Sequence, residues 1–378
     1  MAESKVLLFV DRMRVGGIQT LLVELIEQFK MMQQPCDLLL LDDGEHYDLE
    51  DTVRQRVTTV YKLQGIWLRR PWDFPRYERA VQQFFAAHHG YQAVHLNSGP
   101  KNYPILKYAK RYGIPVRIAH AHNTGFQTSS KAAQLLGDLF KRPLRRYATH
   151  CLACSDLAGQ WMFGSRWMSA GKVTVLPNGI PLREYAFQPD VRRQVRDSWH
   201  VGVNTLVVGH VGRFTTQKNH SFLLEIFAEL HRKQPDSLLV LAGVGELQDA
   251  ARSKAEELHL TDSVRFLGFR SDVAELLQGM DIFLMPSLYE GFPVTGVEAQ
   301  AAGLPCVFSD TITREVKILD AVAYLPLDAP AARWADTILQ LAKGTDRQQA
   351  CDVLIAKGYD VHTMAEKLIH IYHSQDAQ

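Results

Sequence analysis

The sequence predicts an α/β protein of two doubly wound, Rossmann-like domains that face each other across an interdomain cleft. Three observations carry this. The 378 residues suit two domains better than one. Short, almost continuously apolar runs alternate with amphipathic segments along the chain, as expected of parallel strands covered by helices on both faces. Near the midpoint a Pro/Gly/Asn cluster, Leu176-Pro-Asn-Gly-Ile-Pro181, continues neither strand nor helix.

In the first series, strands are predicted at 5–10, 37–41, 57–61, 93–96, 116–119, 149–153 and 173–176. Helical periodicity fills 18–29, 76–88, 103–112 and 131–147. In the second series, strands fall at 205–211, 238–242, 264–267, 282–285 and 306–309, with helices at 220–233, 248–258, 273–278 and 297–302. The domains are therefore expected at 1–178 and 179–360, with a terminal helix at about 361–378 packing back on the first. Ligands of doubly wound sheets bind beyond the carboxyl ends of the strands, so the chemistry is sought there.

Composition narrows the class. Hydrophobic residues make up 46% and charged residues 22%, ordinary for a globular protein, and the net charge of +1 gives no reason to expect nucleic acid. The charge is unevenly placed: residues 1–185 hold 24 Lys+Arg against 16 Asp+Glu. A basic first half suits an anionic surface or acceptor, or reflects only solvated faces. No apolar run approaches the ~20 residues of a membrane span. The run at 5–10 is too short for a signal peptide and lacks a cleavage site. Five cysteines without a framework of spacings fit a reducing compartment, and cytoplasm is the expectation. Cys151-Leu-Ala-Cys154 has no second ligand pair nearby and reads as buried thiols.

Two loops carry the chemistry. After the strand at 205–211 comes Gly212-Arg-Phe-Thr-Thr-Gln-Lys-Asn219. Gly212 lets backbone approach a ligand, while Arg213 and Lys218 set two cations where a diphosphate can sit. After the strand at 282–285 comes Pro286-Ser-Leu-Tyr-Glu-Gly-Phe-Pro-Val-Thr-Gly-Val-Glu298. Pro293 is placed as the first residue of a helix, leaving the N–H groups of Val294 and Thr295 for an anion. Glu290 lies on the loop and Glu298 inside the helix, so they suit different parts of one extended ligand. In the first half, Gly16-Gly17 opens the helix at 18–29, as a close-approach site or a plain tight turn.

Glu290-x7-Glu298, with Glu290-Gly-Phe-Pro293 and Ala299-Gln-Ala-Ala-Gly-Leu-Pro305, resembles the retaining glycosyltransferases of family four, which have the GT-B fold. The resemblance spans nearly the whole chain and is strongest over 205–316. It implies that Arg213 and Lys218 neutralise a nucleotide diphosphate and that Glu298 accepts hydrogen bonds from ribose hydroxyls. Glu290 would contact the transferred sugar, with the backbone from Gly291 through Phe292, Pro293 and Val294 to Thr295 holding sugar and phosphate. Gly268-Phe269-Arg270 matches the loop that packs on the base, and Gly16-Gly17 a glycine pair lying against the donor. Family members also have a histidine at the end of the strand predicted at 116–119. Here His122 is favoured, and His120 is its rival.

The sequence has no Asp-x-Asp, so no metal and no cofactor is expected; fixed cations and a helix N-terminus can do the same electrostatic work. The resemblance implies retention, with a hexosyl or N-acetylhexosaminyl unit moved from a nucleotide sugar, UDP-linked by expectation, to a glycan or lipid-linked acceptor of bacterial surface polysaccharide. Two segments, 66–72 and 135–146, are basic and apolar together and suit docking on the inner face of the plasma membrane, or else a core stripe with a solvated basic face. A nucleotide-sugar epimerase and a non-catalytic nucleotide-sugar-binding subunit are the alternative readings.

Overall fold

A computed structural model describes residues 4–14, 16–64, 71–126, 131–290, 292–343 and 346–374. The chain divides into two compact units, Met1–Ile180 with Gly358–Gln378, and Pro181–Lys357.

The first unit is a seven-stranded parallel sheet. Its strands are β1 (Val6–Val10), β2 (Cys36–Leu41), β3 (Val60–Leu63), β4 (Ala93–Leu96), β5 (Val116–Ala121), β6 (His150–Ala153) and β7 (Thr174–Val175), in the order β3-β2-β1-β4-β5-β6-β7. Side-chain alternation feeds two cores. Leu7 and Phe9 of β1 pack with Tyr77, Phe85 and Leu106 on one face. Val6, Leu8 and Val10 pack on the other with Leu22 and Ile26 of the helix Gly17–Met31 and with the helix Val361–His373. That last helix starts where the Asp360 carboxylate accepts from the Thr363 N–H at 3.2 Å, and it buries Val361, Met364, Leu368 and Tyr372. Each large apolar side chain so buried contributes about 1.5–3 kcal/mol. Backbone bonds from Ile180 N to Tyr359 O (3.0 Å) and from Val361 N to Ile180 O (3.0 Å) clamp the returning chain.

The second unit is a six-stranded parallel sheet: β8 (Leu206–Val211), β9 (Ser237–Ala242), β10 (Val264–Gly268), β11 (Ile282–Met285), β12 (Cys306–Ser309) and β13 (Val322–Leu325), in the order β10-β9-β8-β11-β12-β13. In both sheets the order reverses beside the first strand, between β1 and β4 and between β8 and β11. A crevice opens at such a reversal, so these two strand pairs position the candidate sites.

The strand expected at 57–61 forms three residues later. Val57 N still bonds Val53 O at 3.0 Å, in the turn that follows the helix Asp48–Arg54. Pro293 is the residue before the helix Val294–Ala301, in an extended conformation, and not its first residue. The helix itself begins three residues ahead of the predicted 297. All five cysteines, Cys151 and Cys154 included, are buried, and none forms a disulfide among the described residues. Among the described residues no helix is long and apolar enough to cross a membrane.

Candidate active site

In the second unit the carboxyl ends of the strands are stitched together by their loops. Leaving β8, Gly212 N donates to Ala242 O (2.9 Å) and Phe214 N to Val244 O (3.1 Å). The fit is close. Gly243 has φ +142°, and a Cβ there would lie 2.0 Å from the Gly212 carbonyl oxygen, so the β9 loop needs glycine for conformation and for space. Phe214 then buries its ring, stacked 4.0 Å from His220, and anchors a loop in which Arg213 and Thr216 are exposed and the other residues half-buried. Lys218 closes the short turn Thr216–Lys218. Asn219 follows in the left-handed conformation (φ 55°, ψ 47°), and its side-chain amide donates to Pro286 O at 3.2 Å. Beyond it the helix His220–Lys233 begins.

The loop after β11 is held from two sides. Leu288 N donates to Gln217 O (2.8 Å), while the Ser309 and Thr311 hydroxyls both donate to Ser287 O, at 2.6 and 2.9 Å. The backbone of Glu290 also bridges to Ile312. Its carboxylate therefore arrives in a fixed place. There Lys218 Nζ donates to Glu290 Oε1 at 2.6 Å and Gln217 Nε2 to Oε2 at 3.1 Å, with the Lys218 and Glu290 side chains only 15% and 9% exposed. The two motifs read from the sequence thus meet across the β8/β11 reversal. A few residues on, the helix Val294–Ala301 presents the first-turn N–H groups of Val294 and Thr295, which no intrahelical carbonyl can reach.

Other predicted residues stand as follows. Arg213 is exposed and has no ion pair among the described residues. Glu298 is half-buried in its helix and shares a hydrogen bond with Tyr185; burial raises its carboxyl to about 7, against the opposing Tyr185 bond. Gly268 (φ +67°) accepts a bond from Gly243 N at 2.8 Å. Phe269 beside it presents a 77% exposed ring, while Arg270 Nε donates to Asp272 Oδ1 at 2.7 Å. Phe292 and Pro293 fall on the loop, and Gly291 lies outside the described residues, as do residues 66–70 of the predicted basic–apolar segment.

In the first unit, alternation places Ile118, His120 and His122 on one face of β5 and its extension, and Ala93, His95 and Asn97 on the same face of β4. The face is apolar deep in the sheet and polar at its carboxyl edge. His122 is half-buried, its Nδ1 3.0 Å from Asn178 Oδ1 and its Nε2 3.0 Å from Asn97 Oδ1. Burial lowers its pKa to about 4, with the Asn178 bond opposing. His120 is buried, with its ring centroid 4.0 Å from that of His122. Of the two candidates, His122 is therefore the more open. Nearby, Asp11 at the end of β1 accepts from the Ser98 hydroxyl and the Asn102 amide, both at 2.6 Å. Gly16 is extended (φ −177°), which any residue adopts, so its backbone requires no glycine. A Cβ at Gly17 would meet nothing within 4 Å, leaving open space at the helix start.

Sequence reasoning missed several residues that shape these sites. Gln217 lies inside the recognised loop beside Lys218, and the Gly243-Val-Gly245 spacing directly after β9 was a readable glycine signal. Tyr185, Asn97, Asn178 and Thr311 are brought in by tertiary contacts and carry no local signature.

The family model described as Glycosyltransferase Family 4 matches residues 15–184, and that described as Glycosyl transferases group 1 matches residues 191–361. The Bacillus subtilis (strain 168) protein EpsF, named as a glycosyltransferase, is 33% identical over 98% of this chain and 97% of its own. An Escherichia coli enzyme named UDP-Gal:alpha-D-GlcNAc-diphosphoundecaprenol alpha-1,3-galactosyltransferase is 27% identical over 58% of each chain. Among solved structures, Anabaena Alr3699/HepE in complex with UDP superposes with a TM-score of 0.77 at 19% identity, covering 97% of this chain and 98% of that one. The same protein with UDP-glucose gives 0.69 at 18% identity, over 97% and 98%. These neighbours share the GT-B fold of two parallel-sheet α/β domains.

Proposed function

Because the chain belongs to the family 4 glycosyltransferases, we propose that it moves a hexosyl or N-acetylhexosaminyl unit from a UDP-sugar to a glycan or lipid-linked acceptor in bacterial surface polysaccharide synthesis, with retention. One observation carries the site assignment: Lys218 and Glu290 meet at the β8/β11 reversal, beside a helix N-terminus. The UDP and UDP-glucose complexes of HepE support the donor class, and the named linkage of the E. coli enzyme supports an α product.

Departure of the diphosphate builds negative charge on its oxygens and positive charge on the sugar ring. Arg213 and Lys218 meet the first, with the N–H groups of Val294 and Thr295; one preorganised donor of this kind is worth about 3–4 kcal/mol. Lys218 is already aimed, because Glu290 holds it. On binding, the diphosphate takes over Lys218, and Glu290 turns its free lone pairs to sugar hydroxyls. The leaving phosphate accepts the acceptor's proton on the same face, so Glu290 orients and does not attack. Glu298 accepts from the ribose, Phe269 offers a stacking face for the base, and His122, ahead of His120, serves the transferred sugar. The cations perform the task that a metal performs in other transferases, and no metal or cofactor is required.

Acceptor recognition is assigned to the first unit. On the helix Lys131–Tyr147, Leu135, Leu139, Arg142 and Arg146 fall within about 60° of one another at 100° per residue. Leu135 and Leu139 are 67% and 60% exposed. An apolar half followed by a basic half on one exposed face suits the cytoplasmic surface of an anionic membrane.

The test is incubation of purified protein with a panel of nucleotide sugars, with and without EDTA, reading products by NMR. Transfer or slow donor hydrolysis with α configuration, insensitive to EDTA, is expected. Epimer formation, or binding with no turnover, would overturn the proposal.

A further inference from the structure

The strand-end histidines rest on a buried chain that begins on the last helix. Tyr372, fully buried in Val361–His373, has its hydroxyl 2.7 Å from His95 Nδ1. His95 Nε2 lies 3.1 Å from His120 Nδ1, and the two rings stack nearly parallel, 10° apart. His120 in turn lies under His122 at 4.0 Å. His120 Nε2 is buried without a hydrogen-bond partner among the described residues. Burial disfavours the cation at each ring: His95 is lowered to about 3, and His120 is driven well below the usual range. Both rings are therefore neutral, each with one N–H and one lone pair.

That leaves two directions for the chain. In one, the Tyr372 hydroxyl donates to His95 Nδ1 and His95 Nε2–H donates to His120 Nδ1. The proton of His120 then sits on Nε2, and only this N–H lacks a partner. In the other, His120 Nδ1–H donates to His95 Nε2 and His95 Nδ1–H donates to the Tyr372 oxygen. Two groups are then orphaned, the Tyr372 proton and the His120 Nε2 lone pair. An unmade buried hydrogen bond costs free energy, so the first direction wins.

We propose that Tyr372 and His95 are positioning residues: through their directed hydrogen bonds they fix His120 as the Nε2–H tautomer, in the one orientation that supports the His122 ring. The link to catalysis rests on the proposed role of His122 toward the transferred sugar. The returning helix is thereby part of the active-site framework as well as of the core. Its tyrosine reaches a histidine 277 positions away in sequence. A hydrophobic ring at 372 would fill the same space and lose the direction.

The test is long-range 1H–15N NMR of the full-length protein labelled at histidine nitrogen, with no substrate present, followed by steady-state kinetics. Wild type is expected to show His120 as a single Nε2–H tautomer. Tyr372→Phe removes the donor that breaks the tie, so His120 is expected to become a tautomer mixture. The kcat should fall about threefold or more while donor KM stays within about twofold. His95→Leu should reproduce this, and His95→Gln, whose amide can replace the Nε2 donor, should restore a single tautomer and turnover. His120 protonated at Nδ1 in wild type would overturn the inference, as would Tyr372→Phe and His95→Leu with wild-type kcat. The two failures separate: absence of turnover by wild type strikes at the transfer reading, whereas the tautomer is read without any substrate.

Discussion

Replacing Lys218 with Ala should damage stability and turnover by separable amounts. At 2.6 Å and an effective dielectric near 20, the attraction to Glu290 is about 6 kcal/mol before desolvation is charged against it. Breaking a fully buried pair typically costs about 3–5 kcal/mol, chiefly because the surviving charge is stranded. Here both side chains keep some contact with solvent, and Glu290 retains Gln217 at 3.1 Å, which places the loss near ~2 kcal/mol. For a unit of this size that is a fall in Tm of about 4–8 °C. Turnover should fall at least tenfold, and up to about a thousandfold if Lys218 is a full diphosphate donor in the transition state. Removing the stranded charge as well, in Lys218→Met/Glu290→Gln, should restore at least ~1 kcal/mol of stability and none of the turnover. Calorimetry and initial-rate measurements on the single and double variants form the cycle. A single variant with wild-type Tm and wild-type rate, or a double variant that regains activity, would refute the reasoning.

Other consequences are as direct. Glu298 carries a proton over much of the range below about pH 7, where burial holds its pKa, while the proposed acceptance from ribose hydroxyls favours the ionised form. UDP-glucose affinity should therefore rise roughly tenfold between pH 6 and pH 8 and become flat in Glu298→Gln, as followed by titration calorimetry. The same raised pKa means that this carboxyl's stability contribution is complete below its unfolded value near 4.5 and is lost as pH rises through about 7. Wild type should thus lose Tm over that window relative to Glu298→Gln. Gly243→Ala forces a Cβ against the Gly212 carbonyl at a backbone angle that alanine rarely adopts, and should cost about 2 kcal/mol or more by denaturant melting. On anionic liposomes at low salt, Leu135→Ser/Leu139→Ser and Arg142→Glu/Arg146→Glu should each weaken flotation with the vesicles; unchanged flotation would remove the membrane assignment.

Much of this architecture was legible because it is written locally. Apolar runs such as Val6–Val10 and Cys306–Ser309 are buried on both faces, so composition alone marks them as central strands. The two loops proposed to hold the donor were legible for a related reason. Gly212 to Asn219 and Pro286 to Glu298 are each contiguous, and each follows a strand that is easily read. Other elements were not read: β13 is the last strand of its sheet and only half-buried at Ala323 and Tyr324, and the helices Pro189–Ser198 and Ala331–Leu341 gave no stop signals distinct from the loops around them. Nor was the environment of the histidines. Spacing does not decide between His120 and His122, and only the polar turn after His122 favours it; packing against His95, Tyr372 and the two asparagines distinguishes the enclosed ring from the accessible one. At the glycine pair the backbone alone does not require glycine: Gly16 adopts an angle open to any residue, and a Cβ at Gly17 would meet nothing within 4 Å.

The central claim is that the loops at the carboxyl ends of β8 and β11 grip a nucleotide diphosphate. It is tested most directly by titration calorimetry of UDP against wild type, Arg213→Ala/Lys218→Ala, and a control changed at the far end of the helix His220–Lys233, Arg232→Ala. Wild type and the control should bind UDP alike, and the double variant should bind at least about tenfold more weakly while retaining a cooperative thermal transition. Equal affinity in all three proteins would contradict the claim.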